Sequence, residues 1–325
     1  MKKLKIGVLA LLLILFNCED GNKNKRVLSK SNGNINALNV VIDNENWDNE
    51  IGETIRTIFG APVEGLPQDE PLYSMNQMPP SVFSGFATKN RIVLKIEKGA
   101  PNSSIESDVY ARPQTVVTVS GNTKSEIINE LNNNASKLID AFTKEELKEK
   151  QRRINLSTKN DQAIEDALGV NIKIPSAYRI AKKDDKFFWI RKTTSKKGTL
   201  DLLFYELPMD AIRKGDSAVI DIVNARNGIG KTHIQGENKD SYMITETAYA
   251  PYVNEIIIDN KPTLETKGLW DMKNDWMSGP FINYAIEDKI NNRYVVLEGY
   301  AYAPSVSKRD YMFELESILK SVEIK

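Results

Sequence analysis

The chain carries one cysteine, Cys18, and one histidine, His233. This pair of counts is its strongest constraint. No internal disulfide can form, no Cys-x-x-Cys redox pair exists, and no zinc site can be assembled from His and Cys ligands. Stability has to come from packed apolar cores alone. The 325 residues, 41% of them apolar, are enough for that, and at usual domain sizes they predict two domains. Lys+Arg and Asp+Glu both number 44, so there is no basic excess to grip nucleic acid and no acidic tail. No cofactor, metal or nucleotide is expected.

The lone cysteine ends the one long apolar run. Lys2, Lys3 and Lys5 precede Ile6 to Phe16, a stretch without charge. The run has the length of a signal-peptide apolar segment and falls short of the roughly 20 residues of a membrane span. Leu15-Phe16-Asn17-Cys18 resembles a bacterial lipobox, although Phe16 and Asn17 depart from its strictest form. The resemblance implies that residues 1–17 are removed and that Cys18 is acylated, palmitate included, tying the protein to the membrane. One acyl chain holds weakly and two or more hold stably. Glu19-Asp20 resemble a surface-export signal of some bacterial groups and an inner-membrane retention signal of others. The expected destination is the outer membrane, facing the periplasm or the surface. Residues 18–34 read as a tether, polar and rich in Asn, Lys and Gly; about 16 residues of coil reach roughly 20–25 Å.

Residues 35–142 read as a first α+β body. Strands are expected at 37–42, 91–97 and 115–120, and helices at 46–59 and 123–142. Between them lies a loop with Pro62, Pro67, Pro71, Pro79 and Pro80. Residues 143–160 hold a charged segment in which Thr143 and Glu146 have capping-box spacing. It reads as an exposed connecting helix, with Lys148, Lys150, Arg152 and Arg153 on a solvated face balanced by Glu145, Glu146 and Glu149. Residues 161–325 read as a second α+β body. Its strands pair through turns at Asp184-Asp185, Asp259-Asn260 and 289–292, with helices at 217–227 and 309–321. The fold class expected is α+β in two domains, each an antiparallel-rich sheet with packed helices.

Several groupings invite chemistry. ARNGIGKT at 225–232 satisfies a relaxed phosphate-loop pattern. It leaves a helix rather than a strand, and reads better as a helix C-terminus with Gly228 as a left-handed cap. His233 reads as an exposed loop histidine. No Gly-x-Ser-x-Gly elbow accompanies it. Asp69 and Glu70, set between Pro67 and Pro71, form a stiff acidic loop suited to recognition. Tyr294, Val296, Glu298, Tyr300 and Tyr302 alternate with Val295, Leu297, Gly299, Ala301 and Ala303, so the two sets lie on opposite sides of one strand. The tyrosine face either packs under the closing helix or forms an aromatic platform for a sugar or peptide. The candidate ligand-binding residues are therefore Asp69, Glu70, Tyr294, Tyr300 and Tyr302; the lipidation site is Cys18; none is catalytic and none binds metal.

GLPQDEP (65–71), MNQMPP (75–80), KEKQRR (148–153), FFWIRK (187–192), SYMITE (241–246), RYVVLEGYAYAPS (293–305) and KRDYMFELESILKS (308–321) resemble an uncharacterised, domain-of-unknown-function family of Bacteroidota-type lipoproteins. The resemblance implies an envelope lipoprotein with no assigned activity. Residues 165–325 also resemble small α+β modules of the PsbP/Mog1-like type, which implies binding or scaffolding. The expected function is a non-catalytic binding or assembly module of the cell envelope, serving a protein or glycan partner. The alternative is an envelope hydrolase that uses a carboxylate pair on glycan or peptide.

Overall fold

The computed structural model describes residues 27–159, 162–196 and 198–325, and Cys18 lies outside them. Two sheets, each with its own helices, organise the chain. In the first body, β1 (Ala37–Val41) leads through a short helical turn (Asn44–Trp47) into α1 (Glu50–Phe59). Asn49 starts α1 by accepting the Ile51 N–H at 3.3 Å. Ile51, Ile55 and Phe59, four apart, face inward. Then come β2 (Ser74–Met78), β3 (Ile92–Lys98), β4 (Asn102–Ser107), β5 (Thr115–Gly121) and α2 (Lys124–Ile154). The sheet order is β2-β1-β3-β5-β4.

The α+β class holds, but this first sheet is not antiparallel-rich. β2, β1, β3 and β5 run parallel, and only β4 runs against its neighbour. The cause is connection length. The helix between β1 and β2 carries the chain back to the same end of the sheet, as parallel pairing requires. α1 and α2 share one face, over Leu38, Val40, Ile92, Leu94, Val117 and Val119. Val41, Val93 and Val116 on the other face are covered by Phe83 and Tyr110.

α2 corrects the expected division at residue 142. It is one helix of 31 residues, opened by a capping box between Thr123 and Glu126. Thr143 caps nothing; its hydroxyl lies 2.7 Å from that of Tyr73. The apolar stripe Ile127, Leu131, Leu138 and Phe142 continues through Glu146 and Glu149, both buried. Glu146 meets buried Arg91 in a two-pronged pair, at 2.6 and 3.1 Å, and accepts the Asn36 N–H at 2.6 Å. The segment is thus packed rather than an exposed connector. Lys150 pairs with Glu314 of the second body at 3.0 Å, and Gln151 donates to the Ser317 carbonyl.

The second body opens with α3 (Gln162–Leu168), followed by β6 (Arg179–Asp184), β7 (Phe187–Thr193) and β8 (Thr199–Pro208). α4 (Ala218–His233), β9 (Tyr242–Thr245), β10 (Tyr252–Ile258), β11 (Lys261–Lys273), β12 (Ser278–Asp288), β13 (Arg293–Tyr302) and α5 (Arg309–Leu319) complete it. The antiparallel order is β6-β7-β8-β13-β12-β11-β9, with β10 also beside β11. β6–β7, β10–β11 and β12–β13 are the expected hairpins. Asp259, Asn260 and Asn292 supply the left-handed turn conformations.

Both faces of this sheet are covered, and not in the expected way. The closing helix α5 lies on the small, apolar face of β13, where Gly299 lets it approach. A Cβ there would stand 2.9 Å from that of Leu315. The tyrosine face lies under α4 instead. α4 extends to His233, so Gly228 is an interior helical residue and not a cap. Gly230 explains the glycine content: a Cβ would come within 2.0 Å of the Met243 carbonyl oxygen, where α4 presses on β9. Among the described residues no helix is long and apolar enough to cross a membrane.

Candidate functional site

The proline-rich loop fixes where the two bodies meet. Ala61 and Leu72 pair through their backbones, as do Val63 and Glu70, so the segment folds back on itself as a narrow strap. Pro62 and Pro71 sit opposite each other at its base. At the tip, Gly65 takes φ +78°, and a Cβ would stand 3.0 Å from the Gly268 nitrogen and the Lys267 side chain. Only glycine permits this approach to β11. Leu66, beside it, packs into the core of the second body.

Glu70 completes the junction. α5 has no side-chain cap of its own at Lys308. The Glu70 carboxylate takes that role from the other body, accepting the N–H groups of Lys308 at 2.6 Å and Arg309 at 2.9 Å. A negative charge at a helix N-terminus satisfies free donors and the helix dipole together. Arg309 answers by donating to the Pro71 carbonyl and the Ser74 hydroxyl. The stiff acidic loop expected to recognise a ligand is therefore a latch inside the protein. Asp69 beside it is exposed.

Under the strap lies a cleft of about 360 Å³. Its walls are mostly apolar, with Ala61, Val63, Leu66, Pro280, Ile282 and Phe313 among them, and Tyr73 and Thr143 border it from the first body. One end is charged. Glu64, Lys267, Arg309 and Glu316 line it; behind the lining, Glu265 lies 3.0 Å from Lys267 and accepts from the Tyr284 hydroxyl, and Lys320 lies 2.6 Å from Glu316. Burial favours the neutral form of Lys267, but Glu316, Glu265 and Glu64 outweigh it and hold the ammonium above its ordinary range. Burial also opposes ionisation of Glu316, and Lys320 and Lys267 overcome it, so its pKa falls. Burial raises the Tyr73 and Tyr284 hydroxyls. The cleft thus offers a fixed ammonium, fixed carboxylates and an apolar floor. An apolar recess with a few charged groups converging at one end is an arrangement suited to binding.

A family model described as a domain of unknown function (DUF4837) matches residues 157–321. The chain belongs to the DUF4837 family. A second model, also described as a domain of unknown function (DUF8532), matches residues 31–155. No curated protein matches the chain. Among solved structures it is similar to a point mutant of protein Mog1, at 9% identity and a TM-score of 0.34, over 52% of this chain and 96% of that one. It is similar to LpqN of Mycobacterium tuberculosis, described as involved in cell envelope biogenesis. There the identity is 9% and the TM-score 0.27, over 46% of this chain and 79% of that one. A structure from Bacteroides thetaiotaomicron matches at 9% identity and a TM-score of 0.27, over 48% and 45% of the respective chains.

Within the DUF4837 match, the three singled-out tyrosines do not form one open face. Tyr294 and Tyr300 are buried beneath the α4 side of the sheet, and Tyr302 is half-buried beside Trp270 and Trp276. Period-2 alternation placed them on one side correctly, but a covering helix is not visible from a strand's own pattern. His233 is also not a free loop residue. It ends α4, and its ring stacks on Phe187 at 3.9 Å. Burial and Lys182 lower its pKa, against a weaker pull from Asp184.

The sequence reading missed the polar centre of this body. Arg226 on α4 is buried, makes a two-pronged pair with Glu298 at 2.8 and 2.6 Å, and stands 3.4 Å over the Phe281 ring. Asn283 donates to the same carboxylate. A signal existed: Arg226 lies in phase with Ile222 and Gly230 on the buried stripe of its helix.

Proposed function

We propose that this protein is a non-catalytic binding or assembly module of the cell envelope, tethered through an acylated Cys18, whose cleft beneath the 61–72 strap receives apolar side chains of a partner protein. The observation that carries this reading is the cleft itself. It is a largely apolar recess at a domain junction, with a few charged groups converging at one end, as ligand sites commonly are. The reading of Cys18 rests on the basic start, the uncharged run and the cysteine at its end. The outer membrane is the proposed location.

The non-catalytic reading draws support from the state of the buried carboxylates. Glu298 is held by Arg226, and Glu314 by Lys150 and Lys192, which pull its pKa down against its burial. Carboxylates committed to cations are poor proton donors and acceptors.

Two variants test the proposal. Cys18→Ser should release the protein from the membrane fraction or leave it as uncleaved precursor without incorporated palmitate. Unchanged fractionation with unchanged lipid labelling would contradict the tether. Ala61→Trp should fill the cleft and abolish co-purification of the partner from envelope extracts while the protein stays folded. Retention of the partner by the folded variant would contradict the cleft.

A further inference from the structure

The large sheet of the second body treats its edge strands unequally. A free edge offers a row of unpaired N–H and C=O groups, and proteins usually blunt it. β6, on one side, carries Arg179, Lys182 and Lys183, and its pairing with β7 is broken by a register shift between Ile180 and Lys182. On the other side β9 and β10 lie end to end along β11. β9 is closed by its own chain: the Met243 N–H donates to the Ile234 carbonyl at 3.0 Å and the Thr245 N–H to the Asn227 side chain at 2.7 Å. β10 has neither device. It pairs with β11 alone, and among the described residues none of its backbone groups is bonded on the outer side. Charged residues do not shield it either, since Tyr252 and Ile257 are 52% and 68% exposed.

Beside this open edge lies a recess of about 800 Å³. It opens on the α4 side of the sheet, whereas the strap cleft lies against Met312 and Phe313 on the α5 side. Val219 of α4 forms one wall, Leu264 and Tyr294 line it from the sheet, and Val253, Glu255 and Ile257 line it from β10. Those three alternate with Ile256 and Ile258, which pack into the core under α5. Of the residues that singled themselves out in the sequence, Tyr294 therefore borders a cavity, although its ring is buried. The recess lysines Lys214 and Lys289 both turn to Glu287, at 3.8 and 3.5 Å. Glu255, exposed, is left without an ion pair among the described residues.

The chemistry of the occupant follows from these features. In an antiparallel pair every second residue turns its N–H and C=O away from its neighbour, and another extended backbone matches that spacing. A second copy of this chain fits poorly. Glu255 is the middle residue of β10, so antiparallel self-pairing in full register would set it against its own copy, and like charges directly opposite are destabilising. A foreign strand with a cation at that place turns the same contact into an attraction. We propose that β10 is a docking edge for an extended segment of a partner protein, which adds to the sheet as a further strand. Every second side chain of the segment enters the recess: apolar ones beside Val253 and Ile257, a basic one beside Glu255. This inference is independent of the strap cleft.

The test uses the full chain and the peptide Thr-Ile-Thr-Lys-Thr-Ile-Thr, labelled for fluorescence anisotropy, with a Glu-centred form as its counterpart. The Lys-centred peptide should bind, and the Glu-centred one about tenfold more weakly, which is about 1.4 kcal/mol. Glu255→Lys, at an exposed position, should reverse that preference, and Ile257→Lys should weaken both peptides without moving the melting temperature. Methylating the backbone nitrogens of the threonines in one peptide and of the Ile and Lys residues in another should abolish binding of one and spare the other, because one set of N–H groups faces β10. Ala61→Trp should change none of this, so that failure of the cleft reading and failure of this one are distinguishable. No binding of the Lys-centred peptide, equal binding of both methylated forms, or a preference that survives Glu255→Lys would refute the docking edge. A wild-type dimer in sedimentation that Ile257→Lys dissociates would overturn it in favour of self-pairing.

Discussion

The Arg91–Glu146 pair of the first body and the Arg226–Glu298 pair of the second make an instructive contrast. Each is a buried two-pronged ion pair, and each places a charged residue within the apolar stripe of a helix. They differ in what else they hold. Glu146 also accepts the backbone N–H of Asn36, and Arg91 donates to the carbonyls of Gly33 and Asn34. The first pair therefore organises main chain, pinning the segment that enters β1. The second is bonded to side chains, Asn283 and Thr245, and to the Phe281 ring. It orients α4 on the sheet. A buried pair costs much to desolvate, so what separates the two is whether the chain can do without the charges.

The largest expected effects come from breaking one partner. Glu146→Ala and Glu298→Ala should each destabilise the protein by about 3–5 kcal/mol, read from urea melts, because a buried guanidinium is left uncompensated. Replacing both partners sharpens the contrast. Arg226→Met with Glu298→Leu should restore most of the loss. Arg91→Met with Glu146→Leu should not, since it orphans the Asn36 N–H and two carbonyls at about 1–3 kcal/mol for each buried group. Equal recovery in both double variants would erase the distinction drawn here.

Smaller effects are expected at the edges of these regions. Glu70→Ala removes the cap that the strap places on α5 and should lower stability by about 1 kcal/mol, within the range of helix N-caps. Glu149 provides a pH test confined to the first body. Burial pushes its pKa up, but Arg152 and Arg153 hold it down at about 2, against an ordinary 4.5. A folded-state pKa below the unfolded one adds stability above pH 4.5 that is lost as pH falls toward 2. Both arginines are largely solvent-exposed, so the effect is modest. The stability difference between wild type and Glu149→Gln should shrink across that window, and a difference that stays constant from pH 7 to pH 2 would contradict it.

Much of the fold was legible because it follows from periodicity. The hairpins of the second body announced themselves by alternating strands and Asp-Asn or Asn-Asn turns, and α5 by Met312, Leu315, Ile318 and Leu319. Two kinds of information were not local. The parallel order of the first sheet depends on how helices return the chain, which no strand's own pattern records. The continuity of α2 was hidden because Glu146 and Glu149 look solvent-bound until Arg91, more than fifty residues away in sequence, is placed against them. The same non-locality affected the candidate site. The Asp69-Glu70 loop was singled out correctly as stiff and acidic, yet Glu70 caps α5 across the domain junction. The cleft draws its walls from segments near residues 61, 143, 280 and 313, a grouping that only the folded chain creates.

The most direct test of the account is photo-crosslinking in intact cells from a benzophenone side chain placed at Val63, on the strap wall of the cleft, with exposed Leu156 as the control position. The account predicts one discrete adduct from position 63, absent from position 156 and lost when Ala61→Trp is added. An adduct from both positions, or one that survives Ala61→Trp in a folded protein, would contradict it.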